Sequence, residues 1–145
     1  MTLSTLLIAG AGQAGYQTAA SLRQEGYEGR IVLIGDEPGL PYQRPPLSKA
    51  YLLGKVQAAA LRFRQAEWYE QNRIDRIEAH ITAIHRSAHS VTLADGRTLP
   101  YAHLVLALGA RNRVPAVPGI TLDGVLGIRT LEDADALSPR LTEVK

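Results

Sequence analysis

The sequence runs to 145 residues, 46% hydrophobic and 21% charged, enough chain for one ordinary globular domain that buries roughly 70% of its unfolded surface. It contains no cysteine, which excludes a disulfide framework, a thiolate metal site, a redox-active dithiol and a cysteine nucleophile. With 16 Lys and Arg against 14 Asp and Glu, the net charge of +2 is too near balance to indicate nucleic acid as a partner.

The opening stretch Met1 to Leu22 has no charged side chain, but it lacks the basic start of a signal peptide. Gly10, Gly12, Gln13, Gly15 and Gln17 interrupt it too often for a membrane span. A soluble, cytoplasmic protein with no membrane partner is expected. Thr5 to Ala9 is a continuous apolar run ending at a glycine, the pattern of a strand covered on both faces. Ala14, Ala19 and Leu22 recur at near-helical spacing over Gln13 to Glu25, and Gly26 stands where a helix ends. Arg30 to Ile34 repeats the first strand and stops at Gly35, completing a right-handed βαβ unit.

Four prolines between Asp36 and Leu47 (Pro38, Pro41, Pro45 and Pro46) rule out a helix or central strand there and predict a stiff loop. From Pro38 to Ala66 there are five basic residues, Arg44, Lys49, Lys55, Arg62 and Arg64, and no acidic one, so this segment can meet an anion. Ser48 is read as the cap of a short helix to about Leu53, and Arg64 to Gln71 as another helix ended by Asn72. The period then becomes two. Ile81, Ala83 and His85, then Val91 and Leu93, then Arg97 to Leu99 after the Asp95-Gly96 turn, predict an antiparallel insert over about 80–100. His103 to Leu108 returns to the buried parallel pattern and leaves it at Gly109. A short strand over Val125 to Ile128 and a helix from Leu131 to about Leu137 complete the reading. The fold class is α/β, a Rossmann-like three-layer parallel sheet with a small antiparallel β insert.

Gly10-Ala11-Gly12-Gln13-Ala14-Gly15 is a G-x-G-x-x-G that follows a strand and opens a helix. Its first glycine permits the turn, the second lets backbone approach a pyrophosphate, and the third allows close helix packing. The amides and dipole of the helix start attract phosphate. Asp36 and Glu37 end the next strand, 21 and 22 residues after Gly15, where a carboxylate accepts from a ribose diol and repels a 2′-phosphate. FAD or NAD is therefore expected over NADP.

With these features, the run Pro41-Tyr42-x-Arg44-Pro45-Pro46-Leu47-Ser48-Lys49, the hairpin Val91 to Arg97, the segment Leu104 to Arg111 and Arg129-Thr130-Leu131-Glu132-Asp133-Ala134 make the chain resemble the N-terminal FAD-binding part of NADH-dependent ferredoxin and rubredoxin reductases. These are putidaredoxin reductase-like flavoproteins of the pyridine nucleotide-disulphide oxidoreductase superfamily. The resemblance implies FAD as cofactor, NADH as electron donor of a longer parent protein, and a small iron–sulfur protein as its partner. It makes residues 1–145 the first portion of the FAD domain, with 129–145 starting the crossing toward an NADH domain.

By the same resemblance Gly10, Gly12, Gln13, Ala14 and Gly15 line the FAD pyrophosphate, and Asp36 holds the adenosine ribose, with Glu37 as the competing candidate. Arg44 beside Pro45 faces the phosphates, and Lys49 lies near the flavin ring, where a cation stabilises negative charge. Ile81 meets the adenine through its backbone, Ala107 and Gly109 pass beside the cofactor, and Arg129 closes over it. No residue here is expected to be an acid, base or nucleophile. Leu108 and Asn112 stand where the family usually has threonine and proline, and the family's later Gly-Asp segment has no counterpart here.

Disulfide reductases of the superfamily carry a cysteine pair in the loop after the second strand, which this chain fills with Leu40 to Lys49. Two other readings stay open: a nucleotide-binding fragment without activity of its own, and a monodehydroascorbate-type reductase or NADH oxidase on the same fold. His80, His85, His89 and His103 lack metal-ligand spacing and are read as ordinary strand or surface histidines. Phe63, Trp68 and Tyr69 are read as helix-to-sheet packing.

Overall fold

Strand β1 (Thr5–Ala9) buries Leu6, Leu7, Ile8 and Ala9, as a parallel strand covered on both faces must. The computed structural model describes residues 4–143; the last two positions of the expected crossing, 144 and 145, lie outside the described residues. Two compact units form within them, one from 4–42 and 63–109, the other from 43–62 and 110–143. Among the described residues no helix is long and apolar enough to cross a membrane.

In the first unit β1 runs parallel between β2 (Arg30–Gly35) and β7 (His103–Leu106), pairing Leu6 with Ile31 on one side and with His103 on the other. Outside β2 lies β3 (Ile74–Glu78), giving the order β3-β2-β1-β7. Helix α1 (Gln13–Gln24) forms where its spacing predicts. It ends in a Schellman turn, the Tyr27 N–H donating to the Leu22 carbonyl at 2.8 Å and Gly26 taking φ +84°, a conformation glycine adopts without steric cost.

Alternate β1 and β2 residues go to opposite layers. Leu6, Ile8, Ile31 and Leu33 pack with Tyr16 and Ala19 of α1 and with Tyr69 of helix α3 (Ala66–Gln71). Leu7, Val32 and Ile34 pack instead with Val91 and Leu93. These two belong to β5 (Ser90–Leu93), the middle strand of an antiparallel sheet with β4 (Ile81–His85) and β6 (Thr98–Pro100). The layers are thus helix, parallel sheet and antiparallel sheet, the three-layer α/β arrangement expected. Each fully buried Leu or Ile contributes about 1.5–3 kcal/mol to holding them together.

Phe63 stacks on Tyr16 at a centroid distance of 4.5 Å, and Trp68 meets Tyr69 edge-on at 5.1 Å. These aromatics are packing, as expected. Arg23 fastens the end of α1, donating to the carbonyls of Asn72, Gly29 and Arg73 at 2.7, 2.9 and 2.7 Å and to that of Tyr27.

The second unit holds the later part of the proline-rich segment, from Gln43 onward. Pro45–Ser48 is a single 3-10 turn whose prolines fit its start, so Ser48 ends a turn instead of capping a helix. No helix forms over 48–53; isolated bonds such as Tyr51 N–H to Pro46 O and Lys55 N–H to Ala50 O close separate turns. A short helix α2 (Ala58–Leu61) and a longer α4 (Leu131–Glu143) follow. Leu47, Leu61 and Ala134 are buried here. Val125 to Ile128 is not a strand: among the described residues the segment has no sheet partner, and Val125 and Leu126 are each 48% exposed.

Candidate functional site

The turn from β1 into α1 is fixed by glycines that admit no side chain. Gly10 has φ +109°, and a Cβ there would stand 2.1 Å from the Ala107 carbonyl oxygen. One on Gly15 would stand 1.8 Å from the Gly10 carbonyl oxygen and 3.2 Å from Leu33 Cδ1, and one on Gly35 would stand 2.5 Å from Ala11 Cβ. The Gly10 N–H donates to Ile34 O at 2.7 Å. Backbone thus meets backbone at Gly10 and Gly15, and the start of α1 is seated against β2 and the end of β7.

Gly12 is different: apart from its own chain neighbours, a Cβ built on it has no atom of the described residues within 4 Å. As N-cap it offers no side chain, and no acidic residue sits in the first turn. The amides of Gln13, Ala14 and Gly15 head the helix, and intrahelical bonding begins with Tyr16 N–H to Gly12 O at 2.9 Å. Open space, unpaired amides and the positive dipole end together make a place for an anion.

Where β2 ends, a cavity is lined by Ala11, Gly35, Glu37, Pro41, Arg76 and Glu78 among others. The two adjacent carboxylates have separate surroundings. Half-buried Glu37 borders this cavity and accepts from the Tyr42 hydroxyl. Asp36 does not line the cavity; its exposed carboxylate lies 3.5 Å from His80 Nδ1. Ile81 begins β4 opposite Leu93 and is half-buried. Ala107 N–H donates to Ala9 O at 2.7 Å, continuing the β1 pairing past β7, and Gly109 turns the chain with φ +67°. Leu108 is 59% exposed.

Arg44, Pro45, Lys49 and Arg129 belong to the second unit. There Arg44 Nη1 donates to the Arg129 carbonyl at 2.5 Å, bringing two of the expected residues together. Pro45 starts the 3-10 turn and exposed Lys49 follows it. Tyr51 donates to Asp135 Oδ1 at 2.5 Å, which holds the Tyr51 hydroxyl above its ordinary pKa. Thr130 and Asp133 cap α4 reciprocally: the Asp133 N–H donates to Thr130 Oγ1 at 3.2 Å, while Asp133 Oδ2 accepts from the Thr130 and Arg129 amides at 2.8 Å each. Those amides hold the Asp133 carboxyl below the usual aspartate range.

Sequence reasoning overlooked Arg76 and Glu78. Ile74 and Ile77 are three residues apart and give no two-residue period, so the sequence carried no clear signal for β3, which places residues 76 and 78 on one side of a strand. The remaining histidines have ordinary surroundings, His85 Nε2 lying 2.9 Å from Thr92 Oγ1 and the His89 ring against Tyr101.

The sequence profile of the pyridine nucleotide-disulphide oxidoreductase family matches residues 4–145. The chain is 46% identical over 135 residues to rhodocoxin reductase of Rhodococcus erythropolis, covering 92% of this chain and 32% of that protein. It is 41% identical over 140 residues to putidaredoxin reductase of Pseudomonas putida, covering 94% and 33%. Among solved structures it is similar to a ferredoxin reductase from Rhodopseudomonas palustris, with TM-score 0.91, 48% identity and coverage of 97% of this chain and 35% of that one. A covalent putidaredoxin reductase–putidaredoxin complex matches with TM-score 0.86, 41% identity and coverage of 95% and 34%. The chain spans about a third of the length of these relatives.

Proposed function

This chain belongs to the pyridine nucleotide-disulphide oxidoreductase family, and from that membership we propose that it is the FAD-binding part of an NADH-dependent ferredoxin or rubredoxin reductase. When bound, FAD supplies the chemistry, accepting hydride from NADH and releasing single electrons to a small iron–sulfur protein. The residues present suit this group. The observation that carries the reading is the contrast between Gly12, open on its Cβ side, and Gly10 and Gly15, locked against neighbouring backbone.

In this reading the amides of Gln13, Ala14 and Gly15 hold the pyrophosphate, and Gly12 lets it approach the backbone. Glu37, on the cavity, is favoured over Asp36 as the acceptor for the adenosine ribose. Ile81, Ala107 and Gly109 lie along the same cofactor. Within the second unit Arg44, Lys49 and Arg129 are cations suited to an anionic cofactor, with Pro45 starting the turn between Arg44 and Lys49, and residues 129–145 begin the crossing toward an NADH domain. A cytoplasmic location belongs to the same proposal, because the NADH it draws on is a cytoplasmic reductant. The relatives are about three times longer, which favours a further reading: the 145 residues alone bind FAD without oxidising NADH.

The test is to purify the chain, add FAD, remove the free flavin and record the visible spectrum before and after NADH. Retained flavin that NADH leaves unbleached supports both readings. Bleaching by NADH overturns the inactivity of the 145 residues, and failure to retain flavin at micromolar concentration overturns the FAD site.

A further inference from the structure

We infer that Glu78 is a positioning residue that holds the Glu37 carboxylate toward the nucleotide by closing the loop carrying it, an inference that rests on the reading of Glu37 as the ribose acceptor. Strand β3 runs parallel to β2 with Glu78 beside Gly35, and the Ala79 N–H extends the pairing by donating to the Gly35 carbonyl at 2.8 Å. The backbone of residue 78 therefore sits where the loop leaves β2.

Its side chain takes the other end of the same loop. Glu78 Oε1 accepts from the Gly39 N–H at 2.9 Å, a charge-assisted bond stronger than one between neutral groups. Gly39 has φ +90°, a conformation that other residues rarely adopt. The Ala79 N–H thus fastens one end of Asp36-Glu37-Pro38 and the Glu78 carboxylate the other, leaving Glu37 on a short closed loop.

Two neighbours support the closure. Arg76 Nη1 lies 3.4 Å from the carbonyl oxygen of Gly39, the residue whose N–H Glu78 binds, and its guanidinium is 5.2 Å from the Tyr69 ring centroid. Glu37 itself accepts from the Tyr42 hydroxyl. Glu37, Gly39, Arg76 and Glu78 all line the same cavity. Glu78 needs no contact with ligand: by fixing the loop it selects the orientation in which Glu37 meets a ribose 2′-hydroxyl.

The probes are ADP and 2′-deoxy-ADP, titrated against the full 145-residue chain and its Glu78→Ala, Glu78→Gln and Glu37→Gln variants, with thermal melting recorded for each. The native chain is expected to prefer ADP by about tenfold, the worth of one hydrogen bond to a charged acceptor. Glu78→Ala is expected to reduce that preference to roughly threefold or less. Glu78→Gln, which keeps an acceptor for the Gly39 amide, is expected to restore most of it. A structural role alone would weaken both ligands equally and leave the preference unchanged. Full preference in folded Glu78→Ala overturns the positioning role and leaves the Glu37 assignment standing. If Glu78→Ala does not fold, a Glu78→Gln chain that binds ADP without preference overturns it in the same way. Absence of preference in the native chain overturns the Glu37 assignment and this inference together.

Discussion

The carbonyl oxygen of Ala107 stands 2.1 Å from the point where Gly10 would carry a Cβ. Close approach of the end of the parallel sheet to the turn before α1 therefore depends on the absence of one methyl group. Gly10→Ala is expected to destabilise the fold by about 2–4 kcal/mol, through the positive φ and the overlap together. Gly12→Val, at a position with open space, is expected to melt within a few degrees of the native chain while losing FAD binding by roughly a hundredfold. Melting curves paired with flavin fluorescence titration check both, and full FAD binding by Gly12→Val would refute the phosphate turn.

Glu37 and Asp36 are separable by the same titration. Glu37→Gln is expected to weaken FAD by about tenfold, since it replaces a charged acceptor by a neutral one. Asp36→Asn, at a carboxylate facing His80 and solvent, is expected to change affinity by less than about threefold. The reverse ranking would move the ribose to Asp36.

The cap on α4 gives a pH dependence of definite sign. Asp133 is held below the ordinary aspartate value of 3.8 by the Thr130 and Arg129 amides. A carboxyl depressed in the folded state contributes stability that is fully present above its unfolded value and is lost as pH falls through its folded value. Amide hydrogen exchange in the first turn of α4 is therefore expected to show unchanged protection down to about pH 5, and falling protection below pH 4 after correction for intrinsic rates. Asp133→Ala should show the low-pH behaviour already at pH 7, at a cost of about 1 kcal/mol.

Tyr69 is 1% exposed, and among the described residues its hydroxyl has no hydrogen-bond partner. Burial pushes its pKa up to about 12. Removing a buried hydroxyl that bonds to nothing relieves its desolvation, so Tyr69→Phe is expected to be neutral or to stabilise by up to about 1 kcal/mol. Urea denaturation checks this, and a loss above 1 kcal/mol would show that the hydroxyl has a partner in solution.

The βαβ unit and the antiparallel insert were legible because their apolar residues are buried where the period places them. Strand β3 was not. It is an edge strand whose Asp75, Arg76 and Glu78 are exposed, so it lacks the continuous apolar run that marked β1, β2 and β7. Val125 to Ile128 failed in the opposite sense: an apolar run states a preference for extended backbone, but only a neighbouring strand can satisfy it. Ser48 lost its expected cap because Pro45 and Pro46 begin a turn three residues earlier. The glycine turn could be read directly, whereas the different surroundings of Asp36 and Glu37 depend on a loop fastened from β3, a strand outside the motif.

The order β3-β2-β1-β7 also has a kinetic consequence. β1 meets β2 across one helix, but its other edge waits until His103 to Leu106 return from beyond the antiparallel sheet. Pairings so distant in sequence form slowly because loop closure precedes any gain from contact. The first strand made is thus the last completed, and until then its apolar edge is the part of the nascent chain most exposed to pairing with a neighbouring molecule.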